Sequence, residues 1–171
     1  MEINMTSSGL ISVIIVLSLL YRVEGNVISL GSMLGWLDPQ LHSIFGAYGR
    51  FNGYGCYCGI GGTGLPKDEI DCCCQQHDAC YQSLSEEGSC TIKGTFSHLY
   101  QFTKYTEDGK PHIKCTESDD PCAYELCQCD RTAAICLSKH ESKYDIQYKN
   151  YDRRTKCERR KWMQADFCPL E

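Results

Sequence analysis

The chain has 171 residues with 22 acidic and 17 basic side chains, so its formal net charge is −5. This acidic balance argues against nucleic acid as the main partner. The length suits one domain, and fourteen cysteines indicate a disulfide framework in an exported chain rather than a zinc site.

Residues 1–25 are predicted to be a signal peptide. Leu10 to Leu20 is an apolar run interrupted only by serines, and it is too short to cross a bilayer, which needs about 20 apolar residues. Val23 and Gly25 are compact residues at the positions that signal peptidase inspects. A buried core helix or a signal anchor is the alternative. We therefore expect a secreted domain over residues 26–171.

The predicted elements are mainly helical. Apolar residues recur at spacings of three and four between Asn26 and Gly35, which predicts an amphipathic helix. Asp38 and Pro39 predict the start of a short second helix that continues through Phe45. A glycine-rich loop follows over 51–64.

The remaining predicted elements are a long helix over 66–84, a β-hairpin that turns at 108–109, a helix over 120–139 and an irregular basic tail from 144. The hairpin prediction rests on an Asp-Gly pair between segments rich in aromatic and apolar residues. The start of the later helix rests on an Asp-Pro pair, with Asp as N-cap and Pro in the first helical position.

Two cysteine pairs of equal spacing predict how the long helices meet. Cys73 and Cys80 are seven residues apart, which is two helical turns, and Cys129 and Cys136 repeat that spacing. An antiparallel arrangement would bond Cys73 to Cys136 and Cys80 to Cys129.

His77 lies between the first pair of cysteines on the same helix face. In the antiparallel register it faces the part of the second helix that carries Asp130. The pair is predicted to act as a general base and the carboxylate that orients it. The alternatives are a structural histidine and a surface aspartate.

The glycine-rich segment from Tyr54 to Gly62 has the composition of a cation-binding loop. Glycine allows consecutive carbonyl oxygens to converge, and Ca²⁺ prefers 6–8 oxygen ligands. A bond from Cys58 to Cys74 would bring the loop close to the Asp78 carboxylate. A plain glycine turn is the alternative when the loop is considered by itself.

Three spaced motifs together resemble the secreted, calcium-dependent phospholipase A2 family. They are Tyr-Gly-Cys-Tyr-Cys-Gly-Ile-Gly-Gly from Tyr54, Asp-x-Cys-Cys-x-x-His-Asp-x-Cys-Tyr ending at Tyr81, and Cys-x-Cys-Asp-x-x-Ala-Ala-x-Cys from Cys127 to Cys136. The resemblance implies two long antiparallel, disulfide-linked helices with an N-terminal helix, a calcium loop and a small hairpin.

The resemblance also implies a set of calcium ligands. These are the backbone carbonyls of Tyr57, Gly59 and Gly61 and the carboxylate of Asp78. The Gly59 N–H is implied to stabilise the oxyanion together with Ca²⁺.

The implied reaction is hydrolysis of the sn-2 ester of glycerophospholipids to lysophospholipid and free fatty acid. His77 accepts the proton of the attacking water, Asp130 orients the imidazole, and Tyr81 hydrogen-bonds the aspartate. A second such tyrosine is expected in the hairpin region, where Tyr100 is the candidate and Phe102 the alternative.

By resemblance we expect six bridges: Cys56–Cys157, Cys58–Cys74, Cys73–Cys136, Cys80–Cys129, Cys90–Cys122 and Cys115–Cys127. Cys72 and Cys168 remain. In many relatives a C-terminal cysteine bonds the residue that is Ala79 here, whereas Cys72 lies two helical turns earlier on the same face. We hypothesise that Cys72 bonds Cys168; an intermolecular bond is the alternative.

The expected partner is a phospholipid membrane or micelle surface. An exposed apolar collar is predicted near the lipid entrance, with core packing as the alternative: Leu30, Met33, Leu34, Trp36 and Leu37. The basic segment from Lys149 to Lys161 is either a binding site for anionic lipid or heparan chains or a solvated tail.

A non-catalytic scaffold, toxin or receptor-binding protein on the same fold is the alternative function. The intact histidine, aspartates and glycine loop argue against it. The other histidines have no partner in the motifs and are predicted to be ordinary surface residues: His42, His98, His112 and His140. The sequence leaves the oligomeric state open.

Overall fold

The computed structural model describes residues 25–41, 44–91, 98–157 and 168. It contains five α-helices and one two-stranded sheet within these residues: α1 (Gly25–Leu37), α2 (Ile44–Phe51), α3 (Glu69–Glu86), β1 (Phe102–Glu107), β2 (Lys110–Cys115), α4 (Pro121–His140) and α5 (Arg153–Lys156). Short 3-10 turns cover Pro39–Leu41, Glu141–Lys143 and Ile146–Tyr148. In the described part of the chain, no helix has the length and apolar character needed to cross a membrane. Residues 1–24 of the predicted signal peptide lie outside the described residues.

Helices α3 and α4 form the centre of the fold. The Asp68 carboxylate caps α3 by accepting from the Asp71 N–H, so α3 begins two to three residues later than the sequence predicted. Asp120 caps α4 by accepting from the N–H groups of Cys122 and Ala123, as predicted. The bonds Cys73–Cys136 and Cys80–Cys129 set the two helices antiparallel.

All fourteen cysteines are in seven intramolecular disulfides, and the six bridges implied by resemblance are among them. The seventh joins Cys72 to Cys168, as hypothesised. It links the C-terminal segment to the first turn of α3, and the Gln76 side chain donates to the Cys168 carbonyl at 3.5 Å.

The predicted collar is wrong for two of its members. Met33 and Leu34 are 0% and 3% exposed and belong to the main core. Trp36 is half-buried, because its indole Nε1 donates to the His112 carbonyl in β2 at 3.0 Å. Leu30 and Leu37 are also half-buried and pack on the core.

The predicted second helix corresponds to two described elements. Pro39–Leu41 forms a 3-10 turn, and α2 runs over Ile44–Phe51, beyond Phe45. Leu41 is 3% exposed, so the turn contributes to the core. The Asp-Pro pair therefore marks the start of a 3-10 turn and not of an α-helix at Pro39–Leu41.

The hairpin follows its prediction. β1 and β2 pair in antiparallel register from Phe102 opposite Cys115 to Glu107 opposite Lys110. Asp108 and Gly109 have φ angles of 50° and 74°, the left-handed pair that a two-residue hairpin turn requires.

Three of the four other histidines are described. His98 pairs through Nε2 with the Asp120 carboxylate at 2.5 Å, and both side chains are partly exposed, so His98 is a surface residue with a partner that the sequence analysis did not predict. His112 stacks on Tyr105. His140 has a buried Nδ1. His42 lies outside the described residues.

Candidate active site

The catalytic pair predicted from the sequence is formed by the two long helices. His77 Nε2 lies 2.7 Å from Asp130 Oδ1, and the Asp130 side chain is buried while His77 is partly exposed. Since Nε2 faces the carboxylate, the proton sits on that nitrogen and Nδ1 carries the free lone pair. The pair therefore has the geometry of a general base with its orienting carboxylate.

Two tyrosines complete the surroundings of Asp130. The Tyr81 hydroxyl donates to Oδ1 at 2.7 Å, and the Tyr100 hydroxyl donates to Oδ2. Tyr100, and not Phe102, is thus the second tyrosine. Burial, followed by the charge of Asp130, raises the pKa of Tyr100, so the hydroxyl stays protonated and donates. With three donors around it, the buried Asp130 carboxylate is held in one position and accepts a hydrogen bond from each of them.

A cavity of about 620 Å³ opens beside this pair. His77, Asp78 and Asp130 line its polar part, while most of its wall is apolar, including Leu30 and Leu34. Such an apolar wall suits a ligand with an acyl chain, and the polar side chains of His77, Asp78 and Asp130 would contact its polar part.

The glycine-rich loop is anchored to α3 by Asp71, which is fully buried. Its carboxylate accepts from the N–H groups of Cys56 at 2.7 Å, Tyr57 at 2.8 Å and Lys67 at 2.9 Å. Gly55 allows this approach, since a Cβ there would lie 2.3 Å from Asp71 Cγ. Burial raises the pKa of Asp71, and the three backbone donors oppose this effect.

The loop presents oxygen atoms that suit a hard cation. Among the described residues no group donates a hydrogen bond to the carbonyls of Tyr57 and Gly59. The nearby Asp78 carboxylate is half-buried, and burial raises its pKa to about 6, although the charges of His77 and Arg153 oppose this shift. A partly desolvated carboxylate beside free carbonyls fits the oxygen chemistry of Ca²⁺.

The third predicted carbonyl ligand has a partner within the protein. The Gly61 carbonyl accepts from Arg153 Nη1 at 2.7 Å. Arg153 belongs to the C-terminal segment and was not singled out by the sequence. Its signal is its position four residues before Cys157, whose bond to Cys56 fixes this segment against the loop.

Asp71 was also missed as a site residue. It precedes Asp78 by seven residues, two helical turns, so both carboxylates lie on the face of α3 that meets the loop. That spacing was available in the sequence. However, the sequence does not show where the glycine-rich loop packs, so it could not distinguish whether Asp71 anchors the loop or is exposed to solvent.

A histidine paired with a buried aspartate at the wall of a large apolar cavity, next to a carboxylate and a carbonyl-rich loop, is the arrangement of a hydrolase site for an apolar substrate. The family model described as Phospholipase A2 matches residues 40–149. The chain belongs to the phospholipase A2 family and is an enzyme of that class.

Several characterised proteins are similar to this chain. Acidic phospholipase A2 EC-I of Echis carinatus is 42% identical over 133 residues, which cover 78% of this chain and 86% of that protein. Phospholipase A2 of Calliactis polypus is 40% identical over 109 residues, 64% of either chain. The protein called "Phospholipase A2, membrane associated" of Rattus norvegicus is 34% identical over 130 residues, 76% of this chain and 80% of that one.

Proposed function

We propose that this enzyme hydrolyses the sn-2 ester of glycerophospholipids at a lipid surface, with calcium as cofactor. The observation that carries the proposal is the pair formed by His77 and the buried Asp130 at the cavity wall, 2.7 Å apart, beside the Asp78 carboxylate. No observation favours the non-catalytic alternative.

The residues perform the reaction through one proton relay. His77 Nδ1 accepts a proton from water while the water oxygen forms a bond to the ester carbonyl carbon. The bond from that carbon to the glycerol oxygen then breaks, and the imidazolium returns the proton to this oxygen. Asp130 stabilises the imidazolium and is itself fixed by Tyr81 and Tyr100.

The calcium site is assigned to the carbonyls of Tyr57, Gly59 and Gly61 and the carboxylate of Asp78. The ion, when bound, supplies positive charge to the carbonyl oxygen of the ester as negative charge develops there. The Gly59 N–H is assigned as a donor to the same oxygen.

Measurement of fatty acid release from phospholipid vesicles tests the proposal. We expect activity to require Ca²⁺ and to fall by more than about 10³-fold in His77→Gln, because both the base and its orientation are lost. His112→Gln, at a histidine of the hairpin that does not line the cavity, serves as the matched control. Equal activity in chelator, or in the His77 variant, would contradict the mechanism.

The lipid surface is proposed to meet the rim of the cavity. Tyr48 and Ile60 line the cavity and are 43% and 89% exposed, and Ile28, which follows the lining residue Val27 on α1, is 45% exposed. Exposed large apolar side chains around the mouth of an apolar cavity are suited to insertion into the interface. These residues replace the collar predicted from Met33 and Leu34.

Binding of anionic lipid or heparan chains through Lys149 to Lys161 remains a secondary proposal. Lys149 and Arg153 donate to backbone carbonyls of the protein itself. Arg154 and Lys156 are exposed, while residues 158–161 lie outside the described part of the chain. Vesicle binding by an Arg154→Gln/Lys156→Gln variant, compared at low and high salt, tests this contribution.

Secretion is proposed from the apolar segment and the dense disulfides. We expect the exported protein to begin at Asn26, which N-terminal sequencing of material secreted from an expression host would establish. A product that retains residues 1–25 would contradict the assigned signal peptide.

A further inference from the structure

Arg153 places a fixed positive charge against the loop assigned to calcium. Its guanidinium donates from Nη1 to the Gly61 carbonyl at 2.7 Å and from Nη2 to the Cys58 carbonyl at 2.5 Å. It also reaches the carbonyls of Ile60 at 3.3 Å and Gly55 at 3.1 Å. One of the oxygens assigned to the metal therefore already interacts with a cation of the protein.

The backbone on both sides of Arg153 is tied to the loop. Cys157 is bonded to Cys56, and the Tyr151 N–H donates to the Gly53 carbonyl at 3.1 Å. This short tether gives the guanidinium a high effective concentration at the loop, so it competes for the carbonyls without diffusing away.

The positive charge of Arg153 is also attracted to the negative carboxylate of Asp78, the acidic ligand assigned to the same site. A guanidinium that is held on the Gly61 carbonyl and attracted to this carboxylate supplies part of the positive charge that a metal ion would supply there.

We propose that Arg153 is a tethered competitor of calcium that sets the calcium concentration at which the enzyme becomes active. The inference rests on the proposed calcium site. A divalent ion and a guanidinium that share the Gly61 oxygen repel each other. The ion therefore binds either against this repulsion or after the Arg153 side chain has left its four carbonyl partners. In both cases the calcium affinity is lower than that of the same loop without this cation.

Calorimetric titration of Ca²⁺ into the metal-free protein, without lipid, measures the competition directly. We expect Arg153→Gln to lower the calcium Kd by about tenfold or more, a change of about 1.4 kcal/mol. Arg153→Lys keeps the charge but loses the planar fork, so its Kd should lie between those of the wild type and Arg153→Gln.

Arg154→Gln is the matched control. It removes the same charge from the next residue of α5, where the side chain is exposed, and should change the Kd by less than about twofold, because exposed charges are screened. Circular dichroism and thermal unfolding with chelator identify variants whose loop has lost its structure.

An unchanged or higher Kd in Arg153→Gln would overturn the proposal and make Arg153 a brace that preorganises the loop. An equal decrease of the calcium Kd in Arg154→Gln would also overturn the proposal, because the net charge of the protein would then explain the effect. Asp78→Asn, introduced into the Arg153→Gln protein, tests the calcium site separately from the role of Arg153. Calcium binding that survives this change occurs at another site and would contradict the assigned site. Absence of binding in every variant would overturn both proposals.

Discussion

Asp130 is a buried carboxylate whose oxygens are hydrogen-bonded by three side chains. It is fully buried, and its donors are His77, Tyr81 and Tyr100. A buried charge is costly unless it is hydrogen-bonded, and here every donor comes from a different part of the chain or a different turn of α3. The two tyrosines fix Asp130, and its bond with His77 orients the imidazole of the proposed base.

We expect Tyr81→Phe and Tyr100→Phe each to lower the free energy of unfolding by about 1–3 kcal/mol, because each leaves the buried charge one donor short. Denaturant unfolding with all disulfides intact measures this loss. Tyr105→Phe, at an exposed position of β1, should change stability by less than about 0.5 kcal/mol. A loss of equal size in that control would show that the bonds to Asp130 are not responsible.

Asp78 illustrates the opposite situation, a carboxylate for which the described residues provide no hydrogen-bond donor comparable to those of Asp130. Burial raises its pKa in the metal-free protein to about 6, above the usual aspartate value of 3.8. The folded state therefore binds a proton more tightly than the unfolded state between these values. Stability contributed by this group rises as the pH falls through about 6 and is lost above it.

In calcium-free buffer we therefore expect Asp78→Asn to be more stable than the wild type at pH 8, on the order of 1–2 kcal/mol after allowance for partial exposure. The difference should shrink as the pH falls toward 4, where the wild-type carboxyl is protonated. Thermal unfolding at both pH values measures it. Added calcium should stabilise the wild type alone; equal stabilisation of the variant would remove Asp78 from the metal site.

At the scale of elements, the proposed active site lies where α3, α4 and the glycine-rich loop meet. Asp71 fixes the loop to α3, and Cys58–Cys74 fixes it a second time. The bonds Cys73–Cys136 and Cys80–Cys129 fix the register between the helices. Cys72–Cys168 lies outside this group, since it connects α3 only to the C-terminal segment.

We expect Cys72→Ala/Cys168→Ala to lose about 2–4 kcal/mol of stability, because the bridge closes a sequence separation of 96 residues. Its activity at 25 °C should be retained, since no residue of the catalytic pair depends on this bond. Denaturant unfolding and vesicle hydrolysis measure the two quantities.

Cys80→Ala/Cys129→Ala is the comparison for this variant. It removes the bridge next to His77 and Asp130 and should reduce both stability and activity. If the Cys72–Cys168 variant loses activity to the same extent in a well-folded sample, then the attachment of residue 168 to α3 also shapes the site.

For the whole molecule, we propose that exposed apolar residues and charge govern binding to the lipid surface. The net charge is −5, yet the described C-terminal segment presents exposed cations, Arg154 and Lys156. Ile60 stands almost fully exposed at the cavity mouth, where nothing in the described residues requires an apolar side chain. Adsorption to a lipid surface would bury it.

We expect Ile60→Gln to weaken binding to uncharged, zwitterionic vesicles by about tenfold, because an isoleucine side chain gains about 1.5–3 kcal/mol on burial. Vesicle sedimentation measures the bound fraction. Ile146→Gln alters a residue that is 74% exposed but does not line the cavity, and it should bind as the wild type does. Equal weakening in both variants would contradict a docking surface at the cavity rim.

The sequence by itself determined the elements and the chemistry that depends on short spacings. Seven-residue cysteine pairs fixed the register of α3 and α4, and with it the meeting of His77 and Asp130. The Asp-Gly and Asp-Pro pairs located the hairpin and the start of α4. These features are predictable because their cause is local: a helical period, a turn conformation or a cap.

Only the tertiary structure decided the contacts made between distant segments. It selected Tyr100 over Phe102, placed Met33 and Leu34 in the core, and showed Asp71 under the loop. It also placed Arg153 on the Gly61 carbonyl, 92 residues away in the chain. Such contacts depend on how elements pack in three dimensions, and no periodicity in the sequence records which side chains then become neighbours.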